Sequence, residues 1–558
     1  METRDRIPSV LLGLITLIAL VFSIRIYYVS KNEISSWDMY LANSEPTVEA
    51  YDIDGNEYSL TRGQEIVFTN KKETINEKSL NKIVLNDSEY YINEKYVAAR
   101  KEDCVFEKDI WAYRDCVIYD DLNSKNIIGE AKKGDKFVVL DYNQINSDGV
   151  VDLYKFEGGY ISGANVSSYE NFAVNEDDSD YAKALRLKTE NEHKAGSPSD
   201  LDYYPNPKPS FEDNKMPDVC KAIYLNAGVL YDIDSYLQIA NDCGINTFVI
   251  DIKEASTITY KSDVMRKYST SSYEAGLYTV DEIKDIINKC KNAGIYLIGR
   301  ITTFKDNNLM LDHPEYAIQW WPEFEGGQQT LYEYEWAYWP SPFVRDVWQY
   351  NVKLAQEAIS EIGFNEIQFD YLRFPEHLPK DNEGNLLVDL HNEKDETKGQ
   401  AIQKFLMYAT EEIHRVHGYV SVDIFGETAN DYVTSYGQYL PAISNVVDVI
   451  SPMPYPDHFE AHSYGINDVV WTVPYELISK WGEKVGEQQS LIPTPAKVRS
   501  YIEGFDATKP PYVIYDNDMI DQQIRGLKDS GIYDGFIIWL SSSNLYKYQS
   551  FEEAIKNN

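Results

Sequence analysis

The chain has 558 residues, 43% of them hydrophobic and 25% charged, a composition that excludes wholesale disorder, a collagen-like fibre and a coiled coil. Acidic residues outnumber basic ones 90 to 52, for a net charge of -38. Such a chain repels phosphate backbones, which excludes nucleic acid as a partner.

The N-terminal METRDR is followed by Ile7 to Ile24 without a charged residue. Ile7 to Val29 would span about 33 Å at ~1.5 Å per residue, enough to cross a hydrocarbon core. No Ala-x-Ala-like cleavage pattern follows closely, so residues 1–30 read as an uncleaved signal anchor. Arg4 and Arg6 precede the span, and the short tail is expected inside with everything after Lys31 outside. The expectation is a single-pass protein of the cell membrane whose catalytic part is extracellular.

Five cysteines are few for an exported chain of this size. Cys104 and Cys116 are candidates for a pair; Cys220, Cys243 and Cys290 sit in apolar patterns and read as small buried hydrophobes. With no CxxC and no Cys/His ligand spacing, neither a metal centre nor a cofactor is expected.

Residues 47–100 and 105–167 carry short period-two runs separated by turns, the pattern of small all-β modules. Each unit closes on a similar phrase, Tyr90–Val97 (YYINEKYV) and Gly159–Val166 (GYISGANV). That phrase resembles the last strand of bacterial SH3-like domains, which implies a cell-wall-binding role; a plain spacer is the alternative. Residues 168–216 are charged and punctuated by Pro205, Pro207 and Pro209, and read as a linker with one helical turn around Tyr181–Leu187.

From 217 to 558, apolar strands alternate with helical stretches, several of which end at Gly. The strands are KAIYLNAG, NTFVIDIKE, GIYLIGRITTF, EIQFDYLRFP, YVSVDIFGE, VDVISPMPYP, QSLIPTP and GFIIWLSSS. This predicts an α/β fold, specifically a (β/α)8 TIM barrel, over a doubly wound open sheet; no nucleotide-binding glycine motif follows the first strand. Alternation along each strand points Tyr224, Asn226, Asp251, Lys253, Tyr296, Arg300, Gln368, Asp370, Asp423 and Trp539 inward. Several lie near the C-terminal strand ends, where barrel enzymes keep their chemistry. Buried carboxylates need partners, and Arg300 and Arg373 are the expected ones.

IQFDYLRFP (367–375), VSVDIFGET (420–428) and ISPMPYPDHF (450–459) resemble the motifs of a bacterial "putative glycosyl hydrolase domain" family, a membrane-anchored domain of unknown function. The resemblance covers roughly 218–545 and implies a TIM barrel related to amylase-like glycosidases. In that clan the nucleophile ends strand four, which Asp370 matches, and a glutamate acid lies on strand five. Here Asp423 stands on strand five and Glu427 four residues later, while SLIPTP offers no aspartate for strand seven.

Glycoside cleavage needs one carboxyl to protonate the departing oxygen and another to attack or to activate water. Asp370 is expected as the ionised partner, held by Arg373 and Arg300, and Asp423 as the acid, with Glu427 as substitute. Seven Trp and Tyr rings within Trp320–Trp339 suit the apolar faces of sugars, so Trp336 and Trp339 are candidate substrate contacts. Asn226, Asp251, Tyr455, His458 and Trp539 complete the candidate binding set. The expected partner is a cell-surface or cell-wall polysaccharide. Alternatives are a non-catalytic carbohydrate-binding surface protein and a metal-dependent polysaccharide deacetylase or esterase.

Overall fold

The computed structural model describes residues 35–123, 125–174, 180–321 and 329–558, in two compact units, Met1–Asn175 and Glu176–Asn558. The expected anchor, residues 7–29, lies outside the described residues; among those described, no helix is long and apolar enough to cross a membrane.

The first unit is all-β. Seven antiparallel strands between Ser36 and Ala98 enclose Leu41, Val48, Ala50, Ile66, Ile83 and Ile92. A five-stranded and a three-stranded sheet between Asp109 and Ser167 enclose Ile110, Ala112, Ala131, Val151, Tyr154 and Ile161. The two closing phrases fold alike, as a strand, a single 3-10 turn and a two-residue strand. Asn93 caps the first turn by accepting from the Lys95 N–H, and Ser162 caps the second by accepting from that of Ala164. Cys104 is buried as a free thiol, so the candidate Cys104–Cys116 disulfide does not form. Cys220, Cys243 and Cys290 are likewise buried free thiols, as their apolar settings predict.

The second unit is built on a parallel sheet curled into a nearly closed barrel. In chain order its strands are β1 (Cys220–Leu225), β2 (Thr247–Glu254), β3 (Tyr296–Thr302) and β4 (Glu366–Asp370). Then come β5 (Tyr419–Phe425), β6 (Val449–Met453), β7 (the stretches Lys497–Val498 and Ser500–Glu503) and β8 (Gly535–Trp539). Each pairs in parallel with its successor, and β8 returns to β1. The two halves of β7 divide the work: Lys497–Val498 pairs with β6, Ser500–Glu503 with β8.

Helices fill the crossovers: α1 (Ile233–Cys243), α2 (Val280–Asn292), α3 (Arg345–Glu357), α4 (Lys398–His414), α5 (Leu440–Ser444), α6 (Pro474–Gln489) and α7 (Asn517–Asp529). α2 shows why: Thr279 and Glu282 form a reciprocal capping box, and Ile283, Ile287 and Cys290 recur at the spacing that buries one face. α1 stops at Gly244, whose φ of 74° suits a residue without Cβ.

Inside the barrel, alternate residues Ala222, Tyr224, Val249, Tyr296, Ile298 and Ile537 form the core. Outward residues meet the helices, as when Phe369 packs edge-on against Phe405 of α4 at 5.1 Å. Deeper in, Arg499 and Glu366 pair at 2.9 Å with no exposure, and the Tyr296 hydroxyl donates to Glu366 at 3.0 Å.

Three expectations differ from the structure. The seventh strand lies at Lys497–Glu503, eight residues beyond the start of QSLIPTP; its polar residues Arg499 and Ser500 are buried inside the barrel, where Arg499 Nη1 donates to Glu366, and they hide the strand from a hydropathy pattern. Lys253 does not face the barrel axis: the β2–β3 register shifts between Asp251 and Lys253, and its ammonium is sealed against Asp306 (2.5 Å) and Asn351 (3.1 Å) on α3. From Asp180 onward, the stretch expected as linker is packed chain: Leu185, Ala195, Leu201 and Tyr203 bury against Val433, Tyr439 and Ala442.

Candidate active site

Asp251, Arg300, Asp370 and Asp423 come from β2, β3, β4 and β5 and meet at the C-terminal ends of the strands. Arg300 is the hub. Its Nη1 donates to Asp251 at 2.7 Å and to Glu254 at 2.6 Å; its Nε donates to Asp370 Oδ2 at 3.0 Å, and Nη2 to the same oxygen. Asp423 Oδ2 stands 3.9 Å from Nε. The guanidinium lies over the rings of Tyr224 (5.6 Å) and Trp539 (5.3 Å), which shield it from water on the barrel side. The Tyr224 hydroxyl donates to Asp251.

These carboxyl groups have different surroundings. Asp370 accepts from Arg300 on Oδ2 and from the Tyr371 N–H on Oδ1 at 2.5 Å. Asp423 is 1% exposed, and neither carboxylate oxygen has a hydrogen-bond partner. A charge left so poorly solvated is costly, and burial, reinforced by neighbouring Asp370, holds its carboxyl well above the usual carboxylate range. Burial likewise pushes Asp251 up to about 6, against the pull of Arg300. The arrangement sets one well-paired carboxylate beside one whose proton affinity is raised by burial, which suits a base or nucleophile beside an acid.

A cavity of about 240 Å³ opens over this floor, lined by Arg300, Asp370, Asp423, Tyr455, Tyr501 and Trp539 with residues from the loops above. Tyr371 enters the lining because its φ is 48°, a left-handed turn that breaks strand alternation directly after Asp370. Strain of that kind costs on the order of 1–2 kcal/mol and is found at sites that need it. An adjoining cavity of about 520 Å³ shares Phe425, Met453 and His458 with the first, and extends past Glu427 to Tyr464 and Lys484.

The other candidate residues fall into distinct places. Arg373 lines the inner cavity but pairs with Glu335 at 3.4 Å, over the rings of Trp339, Tyr371 and Phe425; the cation that grips Asp370 is Arg300. Tyr455 and Trp539 line the inner cavity, and His458 sits at the mouth common to both. Glu427 lies in the outer cavity and accepts from the hydroxyls of Tyr432 (3.0 Å) and Tyr436 (2.8 Å). Asn226 is engaged in capping the turn after β1, accepting from the Gly228 N–H at 2.9 Å, and lines neither cavity. Trp339 is fully buried and donates to the Tyr334 carbonyl, whereas Trp336 is 91% exposed at the tip of a hairpin. From that ring-rich loop, the residue in the inner lining is Glu335, adjacent to Trp336 and bridged to Lys305 at 3.4 Å.

Sequence reasoning missed Glu254, Glu335, Tyr371, Gln438 and Tyr501. Glu254 follows the β2 bulge, and Glu335 and Gln438 come from loops. Tyr501 was hidden with the seventh strand; its hydroxyl donates to Gln368 at 2.6 Å. The cluster is also a poor cradle for a divalent ion, because the Arg300 guanidinium occupies the space between the carboxylates. Among the described residues, no three His, Cys, Asp or Glu side chains converge as ligands.

The model of the family described as "Putative glycosyl hydrolase domain" matches residues 222–546. No protein of curated function matches the chain. Among solved structures, the chain is similar to a hypothetical protein from Ruminiclostridium thermocellum ATCC 27405, at 28% identity over 36% of this chain and 96% of that one (TM-score 0.29). It is also similar to a glycoside hydrolase family 20 beta-N-acetylglucosaminidase, at 8% identity over 61% and 69% of the two chains (TM-score 0.37). A third is the noncanonic maltogenic alpha-amylase AmyB from Thermotoga neapolitana, at 10% identity over 60% and 76% (TM-score 0.35).

Proposed function

Because the chain belongs to the family of the "Putative glycosyl hydrolase domain", we propose that it hydrolyses O-glycosidic bonds of a cell-surface or cell-wall polysaccharide, in an eight-stranded TIM barrel. The observation that carries this reading is Asp423: buried and without a hydrogen-bond partner, in one cavity with the clamped carboxylate Asp370, a setting that favours its protonated form. Asp423 protonates the departing glycosidic oxygen. Its new charge then faces Arg300 Nε at 3.9 Å, which steadies it until it takes a proton from the water that attacks the anomeric carbon and displaces Asp370 from the sugar.

Asp370 is the nucleophile. Arg300 holds its Oδ2, which leaves Oδ1, with one backbone donor, to approach the anomeric carbon. The two Oδ2 atoms lie 3.0 and 3.9 Å from the same Arg300 nitrogen, so they are at most 6.9 Å apart, the sum of those distances. That closeness of the two groups is compatible with the ~5 Å spacing of retaining enzymes, and retention is the outcome we propose. The first-formed product therefore keeps its anomeric configuration.

Residues 7–29 serve as the membrane anchor, and the SH3-like modules of the first unit hold the barrel to wall material outside the cell. The test is release of reducing ends from purified wall polysaccharide. Asp423→Asn and Asp370→Asn each lower it by about 10²–10⁴-fold without loss of fold. Undiminished release by Asp370→Asn removes the central assignment, and inversion seen by NMR of the nascent product removes the nucleophile.

A further inference from the structure

The outer cavity is the least neutral part of the cleft. Glu376, Glu427 and Glu460 line it against one cation, Lys484, which lies over the Tyr464 ring at 4.9 Å. Both hydroxyls that hold Glu427 in place are neutral, so they orient its charge without cancelling it. Phe459 and Tyr464 supply apolar wall between the acids. The second observation is Asp423, sealed from solvent with both carboxylate oxygens unpartnered and facing the inner cavity. A polymer whose scissile oxygen reaches Asp423 passes the shared wall of Phe425, Met453 and His458, and its neighbouring sugar enters the outer cavity.

We propose that the outer cavity is a subsite for a positively charged amino sugar, so that the polysaccharide cleaved carries free amino groups. An ammonium group brings three donors and no acceptor, the complement of a wall of carboxylates, whereas a neutral sugar needs donors and acceptors in balance. N-acetylation removes the charge and leaves the carboxylates facing an amide. The volume, about 520 Å³, falls in the range of pre-formed ligand pockets. A net charge of -38 also draws a polycation toward the molecule from a distance, an attraction that salt screens. The proposal names the substrate class of the glycosidase reading and rests on it.

The test is calorimetric titration of the full chain carrying Asp370→Asn, which prevents turnover, at pH 6 and moderate salt. The probes are a glucosamine hexamer, its fully N-acetylated form and a neutral glucan hexamer. The free-amine hexamer binds at least tenfold more tightly than either other. Glu427→Gln with Glu460→Gln abolishes most of that preference, and Glu460→Gln alone, an exposed position, reduces it. Asp242→Asn with Asp285→Asn, which removes the same charge from α1 and α2, leaves it intact. Equal affinities, no binding of the amine hexamer, or a preference that survives the double glutamate variant overturns the proposal. If the unaltered chain cleaves N-acetylated or neutral polymers and shows no amine preference, the subsite falls and the glycosidase stands. Tight amine binding without reducing-end release from any polymer sinks the glycosidase and leaves the subsite.

Discussion

Arg300 is the residue on which the most depends. One guanidinium, 1% exposed, compensates Asp251, Glu254 and Asp370 directly and Asp423 at longer range. Replacing one partner of a buried ionic cluster is far more harmful than removing the whole cluster, because charges stay behind without compensation. Arg300→Met is therefore expected to cost about 3–5 kcal/mol at pH 8. The cost shrinks at pH 5, because Asp251 and Asp423, whose proton affinity burial already raises, are then more often protonated. Urea titrations at the two pH values measure this; an equal deficit at both would mean that Arg300 acts by packing alone. Of the two cations expected to hold Asp370, Arg300 and Arg373, it is Arg300 that reaches it. Arg373 is near Asp370 along the chain, but near neighbours on a strand end diverge, and a residue on the adjacent strand reaches the same carboxylate with two nitrogens.

At the scale of elements, seven of the barrel strands were legible because each carries an apolar run. β7 was not. Lys497, Arg499, Ser500 and Glu503 break the run, and their partners, such as Glu366 for Arg499, come from strands far away in sequence. The same blindness affects bulges: nothing in TFVIDIKE announces that Lys253 turns away from Asp251. Nor does Leu185–Tyr203 advertise its burial, because its apolar residues follow no regular period. The hairpin Glu333–Tyr334/Ala337–Tyr338 was seen only as a loop rich in rings. Its two-residue turn puts Glu335 and Trp336 at φ 52° and 57°, where Asn-Gly is the usual choice. A left-handed non-glycine residue costs roughly 1–2 kcal/mol, and an indole 91% exposed recovers little of it by burial. Trp336→Gly should thus raise stability by about 1 kcal/mol, offset partly by the entropy of glycine. If the ring contacts sugar, the same variant raises KM severalfold with kcat nearly unchanged. A gain in thermal midpoint with no change in KM would assign Trp336 to neither role.

The whole second unit carries buried carboxyl groups whose proton affinity is raised, and this sets the pH response of the molecule. Besides Asp251 and Asp423, burial pushes Glu503, at the end of β7, up to about 8. One of its oxygens accepts the Asp457 N–H at 2.9 Å, and the other is buried without a partner. The hydrogen bond holds the turn that carries Tyr455 and His458 to the cleft. For a carboxyl whose folded pKa lies above its unfolded value, the folded state binds more protons between the two, so stability falls as pH rises through that window. For Glu503 the window runs from about 4.5 to about 8, and the loss across it is on the order of a few kcal/mol. Glu503→Gln keeps an oxygen for the Asp457 N–H and supplies a neutral group at every pH. Its thermal midpoint should match that of the unaltered chain at pH 4.5, then exceed it by a margin that grows to pH 8 and levels off above. A margin that is constant with pH would show that Glu503 is solvated when ionised and adds nothing to the decline of the barrel as pH rises.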